Sequence, residues 1–138
     1  MIWTIKIELL FGIYAKEDWS VSIELDSMTT LEDLHFIIQD AVNFDNDHMY
    51  EFYVSRTERS RGRVIFDDEN EKVYDTTLDD LYPLEKNKKL FYFFDYGDSW
   101  LFKVTKGRKK PHEAVEGTKY PRIINVEGKA PEQYPDWE

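Results

Sequence analysis

The stretch Phe91–Trp100 constrains the fold more than any other part of the chain. Five of its first eight residues are aromatic, and the apolar run breaks at Asp95-Tyr96-Gly97-Asp98. Apolar residues resume with Trp100, Leu101, Phe102 and Val104. Two apolar runs around an Asp/Gly break predict a β-hairpin with a four-residue loop. Gly97 is the residue expected to take positive φ, and Asp95 and Asp98 are expected to bond nearby backbone N–H groups.

Strands and one helix precede this hairpin. Trp3, Ile5, Ile7 and Leu9 alternate with Thr4, Lys6 and Glu8, and Trp19, Val21, Ile23 and Leu25 alternate with Ser20, Ser22, Glu24 and Asp26. Both runs read as strands with one face buried and one wet, joined as an antiparallel pair. Thr29 and Thr30 lie at capping-box spacing from Glu32 and Asp33. Leu31, Leu34, Ile37, Ile38, Ala41 and Val42 then form one helical stripe. Asn43–Asp47 ends that helix, and His48–Ser55 reads as a third strand. Val64–Phe66 is a short strand, and Thr76–Leu81 is a helical turn that Pro83 keeps short. Beyond Thr105 little periodicity remains, but Tyr120, Ile123, Ile124, Tyr134 and Trp137 are too apolar for a free tail. The expected fold is α+β, a single domain over residues 1–138. It has an antiparallel-dominated mixed sheet of five or six strands, one main helix on one face, a β-grasp-like start and an irregular C-terminal arm.

A chain of 138 residues buries about two-thirds of its unfolded surface and needs no disulfide or metal for stability. Cysteine is absent, which excludes thiol catalysis and thiolate metal sites. The start Met1–Glu8 carries charges where a signal peptide needs an apolar run, and no apolar stretch is long enough to span a membrane. A cytoplasmic protein without membrane contact is the expectation. The net charge of −10 is uneven: residues 1–55 hold 11 acidic and 2 basic side chains, residues 103–138 hold 6 and 8. The acidic field disfavours nucleic acid at long range and confines any such contact to local basic clusters.

Those clusters are Arg56, Arg59, Arg61 and Arg63, and Lys106, Arg108, Lys109 and Lys110 just beyond Lys103. They read first as solvated loops and second as phosphate contacts. Asp95 and Asp98 read first as caps of their own turn and second as a carboxylate pair for acid–base or metal chemistry. The histidines, His35, His48 and His112, lack metal-site spacing and read as solvated or locally bonded. No glycine spacing matches a phosphate or dinucleotide loop, so no cofactor is expected.

Three stretches together resemble the plasmid pRiA4b ORF-3-like family. Thr30–His35 with Asn43–Phe52 is similar to its helix, Asp/Asn turn, His and apolar-Glu-Phe strand. Tyr92–Trp100 is similar to its Tyr-x-Tyr/Phe-Asp-Phe-Gly-Asp-x-Trp core. Tyr120-Pro121-Arg122 with Gly128–Glu132 is similar to its closing segment. The family's His two residues after the Trp is Phe102 here, and its closing Cys is missing from Ile123–Gln133. The resemblance implies a compact α+β domain of about this length and no activity. It points to Asp95, Tyr96, Gly97, Asp98, Trp100, Tyr120, Pro121 and Arg122 as binding residues. The leading functional expectation is a non-enzymatic binding or adaptor domain for a protein or small-molecule partner. The alternatives are a nucleic-acid-binding accessory protein of mobile-element origin, working through the two basic clusters, and a metal-dependent hydrolase working through Asp95 and Asp98.

Overall fold

A computed structural model describes residues 1–135; Trp137 lies outside the described residues. Among the described residues seven strands form one sheet: β1 (Ile2–Phe11), β2 (Ser20–Asp26), β3 (Tyr50–Ser55), β4 (Val64–Phe66), β5 (Lys89–Phe94), β6 (Trp100–Lys106) and β7 (Arg122–Glu127). Their order is β4-β3-β5-β6-β1-β2-β7, and every pairing is antiparallel. The sheet is therefore larger than expected and not mixed. The start resembles a β-grasp only in its order of hairpin, helix and strand. The free edge of β1 is taken by β6, so β3 lands beside β5 instead.

Helix α1 (Leu31–Val42) lies on one face. Leu31, Leu34, Ile38 and Val42 meet the inward rows Trp3-Ile5-Ile7-Leu9, Val21-Ile23-Leu25 and Phe52-Tyr92-Phe102 in one core. Thr30 caps α1 by accepting from the Asp33 N–H. The reciprocal capping box forms instead at Thr77 and Asp80, where the short helix α2 (Leu78–Leu81) begins. Tyr53, Phe91 and Leu101 make a smaller cluster on the opposite face.

The C-terminal arm is not irregular throughout, because β7 adds a regular edge to β2. A bulge between Ile123 and Asn125 breaks the two-residue period there, which hid the strand from the alternation. β7 also closes over Glu24, expected on the wet face; Glu24 is only 2% exposed.

The β5–β6 loop runs over residues 95–99, five rather than four. Positive φ falls on Asp95 (62°) and Ser99 (57°), not on Gly97. The glycine that matters most for Trp100 is Gly12, where a Cβ would overlap the indole ring.

Candidate binding site

The floor of the site is a closed ring of hydrogen bonds at the middle of α1. His35 and Gln39 sit one helical turn apart and are each 2% exposed. The Asn46 backbone N–H donates to Gln39 Oε1 (3.0 Å), and Gln39 Nε2 donates to the Tyr92 hydroxyl (2.9 Å). The Tyr92 hydroxyl and His35 Nδ1 are 2.5 Å apart, and His35 Nε2 lies 2.6 Å from Asn46 Oδ1. One arrangement satisfies all four groups: Tyr92 donates to Nδ1, and Nε2–H donates to Asn46. That requires a neutral imidazole, and burial pushes the His35 pKa down to about 4, against the opposing effect of its bond to Asn46. The ring plane also stacks on Tyr50 at 3.6 Å. His35 is thus neither solvated nor locally bonded. The signal in the sequence was two polar residues, His35 and Gln39, beside the apolar stripe of a helix.

Above this floor opens a cavity of about 550 Å³ between α1, the turn entering β3, and the segment after β4. Phe36, Tyr50 and Tyr74 supply aromatic wall, Met49 adds an apolar rim, and Glu32, Asp47 and Asp68 supply carboxylates; no Lys or Arg lines it. Burial first, then the charge of Glu32 and other nearby carboxylates, raises the Tyr50 hydroxyl pKa. The local potential is negative.

The Asp95 turn forms the adjoining wall. Asp95 is 4% exposed, and its Oδ1 accepts from the Gly97 and Asp98 N–H groups at 3.0 and 3.2 Å. Its Oδ2 lies 3.4 Å from His48 Nε2. The capping role expected of both aspartates therefore belongs to Asp95 alone. Tyr134 donates to Asp47 (2.8 Å) and lies 2.8 Å from His48 Nε2, while Gln133 spans the Asp45 N–H and Asp47, so the end of the arm clasps this corner. Burial opposes ionisation of Asp47, but the bonds from Tyr134 and Gln133 outweigh it and lower its pKa. Among the described residues no three His, Asp or Glu side chains gather at metal-ligating spacing.

The eight motif residues do not come together. Asp95, Tyr96, Gly97, Asp98 and Trp100 stand at one end of the sheet, with Trp100 fully buried against Phe44. Tyr120, Pro121 and Arg122 stand at the other, since Arg122 pairs with Glu24, roughly 20 Å away along the strands. There Arg122 Nε binds Glu24 Oε1 at 2.6 Å, and His112 and Lys109 approach Oε2 at 3.4 and 3.6 Å. The hydrogen bond from Arg122 leads these in lowering the Glu24 pKa against the opposing effect of burial.

The two basic clusters lie at one end of the sheet. β3 and β6 run in the same direction on either side of β5, so Arg56–Arg63, Lys86–Lys89 and Lys106–Lys110 all leave the same end of the sheet. Arg63 is partly spent there, lying over the Tyr53 ring at 4.1 Å.

The profile of plasmid pRiA4b ORF-3-like proteins matches residues 4–134. The chain belongs to that family. A crystal structure of MM3350, a protein of unknown function from Methanosarcina mazei Go1, shares the fold with a TM-score of 0.73 and 23% identity, over 91% of this chain and 68% of that one. No functionally curated protein matches the chain. Phe102, at the position of the family's common His, is fully buried core. No helix among the described residues is long and apolar enough to cross a membrane.

Proposed function

We propose that the protein is a non-enzymatic binding domain whose α1-side cavity takes a positively charged side chain of a protein partner. One observation carries this reading: three aromatic side chains and three carboxylates line the cavity beside His35 and His48, and among the described residues no Lys or Arg does. A cation over an aromatic face gains on the order of 1–2 kcal/mol, and adjacent carboxylates add Coulomb attraction. Phe36, Met49 and Tyr74 are each about half exposed and offer apolar contact to the stem of a Lys or Arg. The neutral ring beneath fixes the walls without contributing a charge of its own.

The test is titration with a short peptide rich in Lys and Arg, against a Glu-substituted counterpart. The basic peptide is expected to bind, and Glu32→Lys with Asp68→Lys is expected to weaken it at least tenfold, about 1.4 kcal/mol. Equal binding to the double variant would overturn the assignment.

A second reading, local nucleic-acid contact, has one observation in its favour. Residues 56–63, 85–89 and 106–110 hold eleven basic and two acidic side chains and leave the same end of the sheet. Arg56, Arg59, Arg61, Arg108 and Lys110 would carry the phosphate contacts there, with Lys109 shared with Glu24. A steep fall of oligonucleotide affinity with salt would support it; a flat salt dependence would sink it.

A further inference from the structure

A second cavity, of about 560 Å³, lies between the Tyr82–Leu84 segment and the end of β6. Its lining divides sharply. Tyr82, Pro83, Leu84 and Val104 make an apolar floor, and Lys88, Lys89 and Lys106 stand around it. The floor is held in place: the Tyr82 hydroxyl donates to the Val104 carbonyl at 3.1 Å, and its ring meets Trp3 edge-on at 6.0 Å. Among the described residues none of the three lysines has a carboxylate within ion-pair distance. This is notable in a chain with ten more acids than bases. Lys106 rests its ammonium over the Trp3 ring at 4.1 Å, the arrangement of a cation with no anion to meet.

We propose that this cleft binds a small amphipathic anion, a carboxylate or phosphate carried on a flat apolar body. Strand alternation puts Lys88 and Lys106 on the face that carries Val104, with Lys89 at the rim; like charges gathered at one cleft repel, and an anion between them relieves that repulsion. The apolar floor gives a bare anion nothing to bury but rewards an attached ring, and the volume falls within the range of small-molecule sites. An anion at the rim draws Lys106 away from Trp3, so occupancy reports on that indole. The site is separate from the acidic cavity and does not depend on the reading given to it.

The experiment titrates the protein with 1-naphthyl phosphate and 1-naphthylacetate, following binding by calorimetry and by tryptophan emission. Both are expected to bind, and the tighter one identifies the head group. Inorganic phosphate and the neutral 1-naphthalenemethanol are expected to bind at least tenfold more weakly. Lys88→Glu with Lys89→Glu is expected to weaken both aryl anions at least tenfold; the milder Lys88→Gln, Lys89→Gln pair serves if charge reversal lowers the melting temperature. Trp3→Phe should abolish the emission change while calorimetric binding persists. Equal affinity for the neutral alcohol, or unchanged affinity in a folded lysine variant, overturns the proposal. So does an oligothymidylate that binds more tightly than either aryl anion and is weakened alike by Arg56→Ala and Lys88→Glu, which assigns the lysines to a nucleic-acid surface.

Discussion

His35 on the helix side and Glu24 on the opposite side are buried to the same degree, and both have lowered pKa values, yet for opposite reasons. Burial drives His35 to its neutral form, and the ring through Asn46, Gln39 and Tyr92 can close only around that form. Glu24 is held in its charged form by Arg122, His112 and Lys109, in spite of burial. One region has discarded charge and the other has concentrated it. A buried polar group can be satisfied either way, but the two answers respond differently to deletion, acid and salt.

The largest effect is expected from deleting the neutral side. His35→Ala leaves a cavity beneath Tyr50 and strands the Tyr92 hydroxyl and the Asn46 carbonyl. A loss of about 3–4 kcal/mol in urea unfolding is expected, unchanged between low and high salt. A loss below about 1 kcal/mol would mean that the ring contributes nothing that water cannot replace.

Acid separates the two regions by pH window. The folded pKa of His35 is about 4, below the ordinary 6.5, so the unfolded chain takes the proton first on acidification. Its contribution is complete above about 6.5, falls as pH drops through that window, and is gone below about 4; about 3 kcal/mol is at stake. The contribution of Glu24 is complete above its ordinary 4.5 and is lost only as pH falls through its still lower folded value. Stability measured against pH should therefore decline in two stages. His35→Gln should flatten the upper stage alone; if it flattens neither, His35 is not the group that titrates.

Salt sharpens the contrast. Arg122→Ala removes the shortest of the three contacts to Glu24 but leaves Lys109 and His112, and Arg122 itself is half exposed. A cost of about 1–2 kcal/mol is expected, smaller at 1 M salt, where exposed charges are screened. A cost that does not change with salt would show that the contact is held by geometry rather than charge.

The same contrast explains what the sequence disclosed. Alternation in Trp3–Leu9 and Trp19–Leu25, and the helical stripe of Leu31–Val42, are local patterns, and the structure carries all three. His35 and Gln39 were visible as polar residues beside that stripe, but Tyr92 lies 57 residues from His35 and joins it only through the sheet. Glu24 looked wet because its cover, Arg122, is 98 residues away on a strand whose bulge hides its period. The basic segments share one end of the sheet because β3 and β6 run in the same direction, a fact of topology with no local trace. At the turn, the positive φ expected at Gly97 falls on Asp95 and Ser99, the two ends of a loop one residue longer than the apolar break suggests.

The smallest effect tests a third carboxylate that has neither answer. Asp98 is half-buried, and its backbone carbonyl accepts from the Ile13 N–H at 3.0 Å, but the cap of the turn belongs to Asp95. Burial, then the neighbouring Asp95 charge, raises the Asp98 pKa. For an acid that shift has the opposite sign to that of Glu24: the ionised form is less welcome in the fold than in the unfolded chain, so its cost appears as pH rises above about 4. Asp98→Asn keeps the shape and removes the charge, and it should raise stability at pH 7 by a few tenths of a kcal/mol, with the gain vanishing toward pH 4. Asp95→Asn is the matched control. It weakens the acceptor of two backbone N–H groups and the contact with His48, so it should cost about 1 kcal/mol at pH 7. If Asp98→Asn proves the costlier of the two, Asp98 holds the turn after all, and the division of labour between these aspartates is the reverse of the one their hydrogen bonds describe.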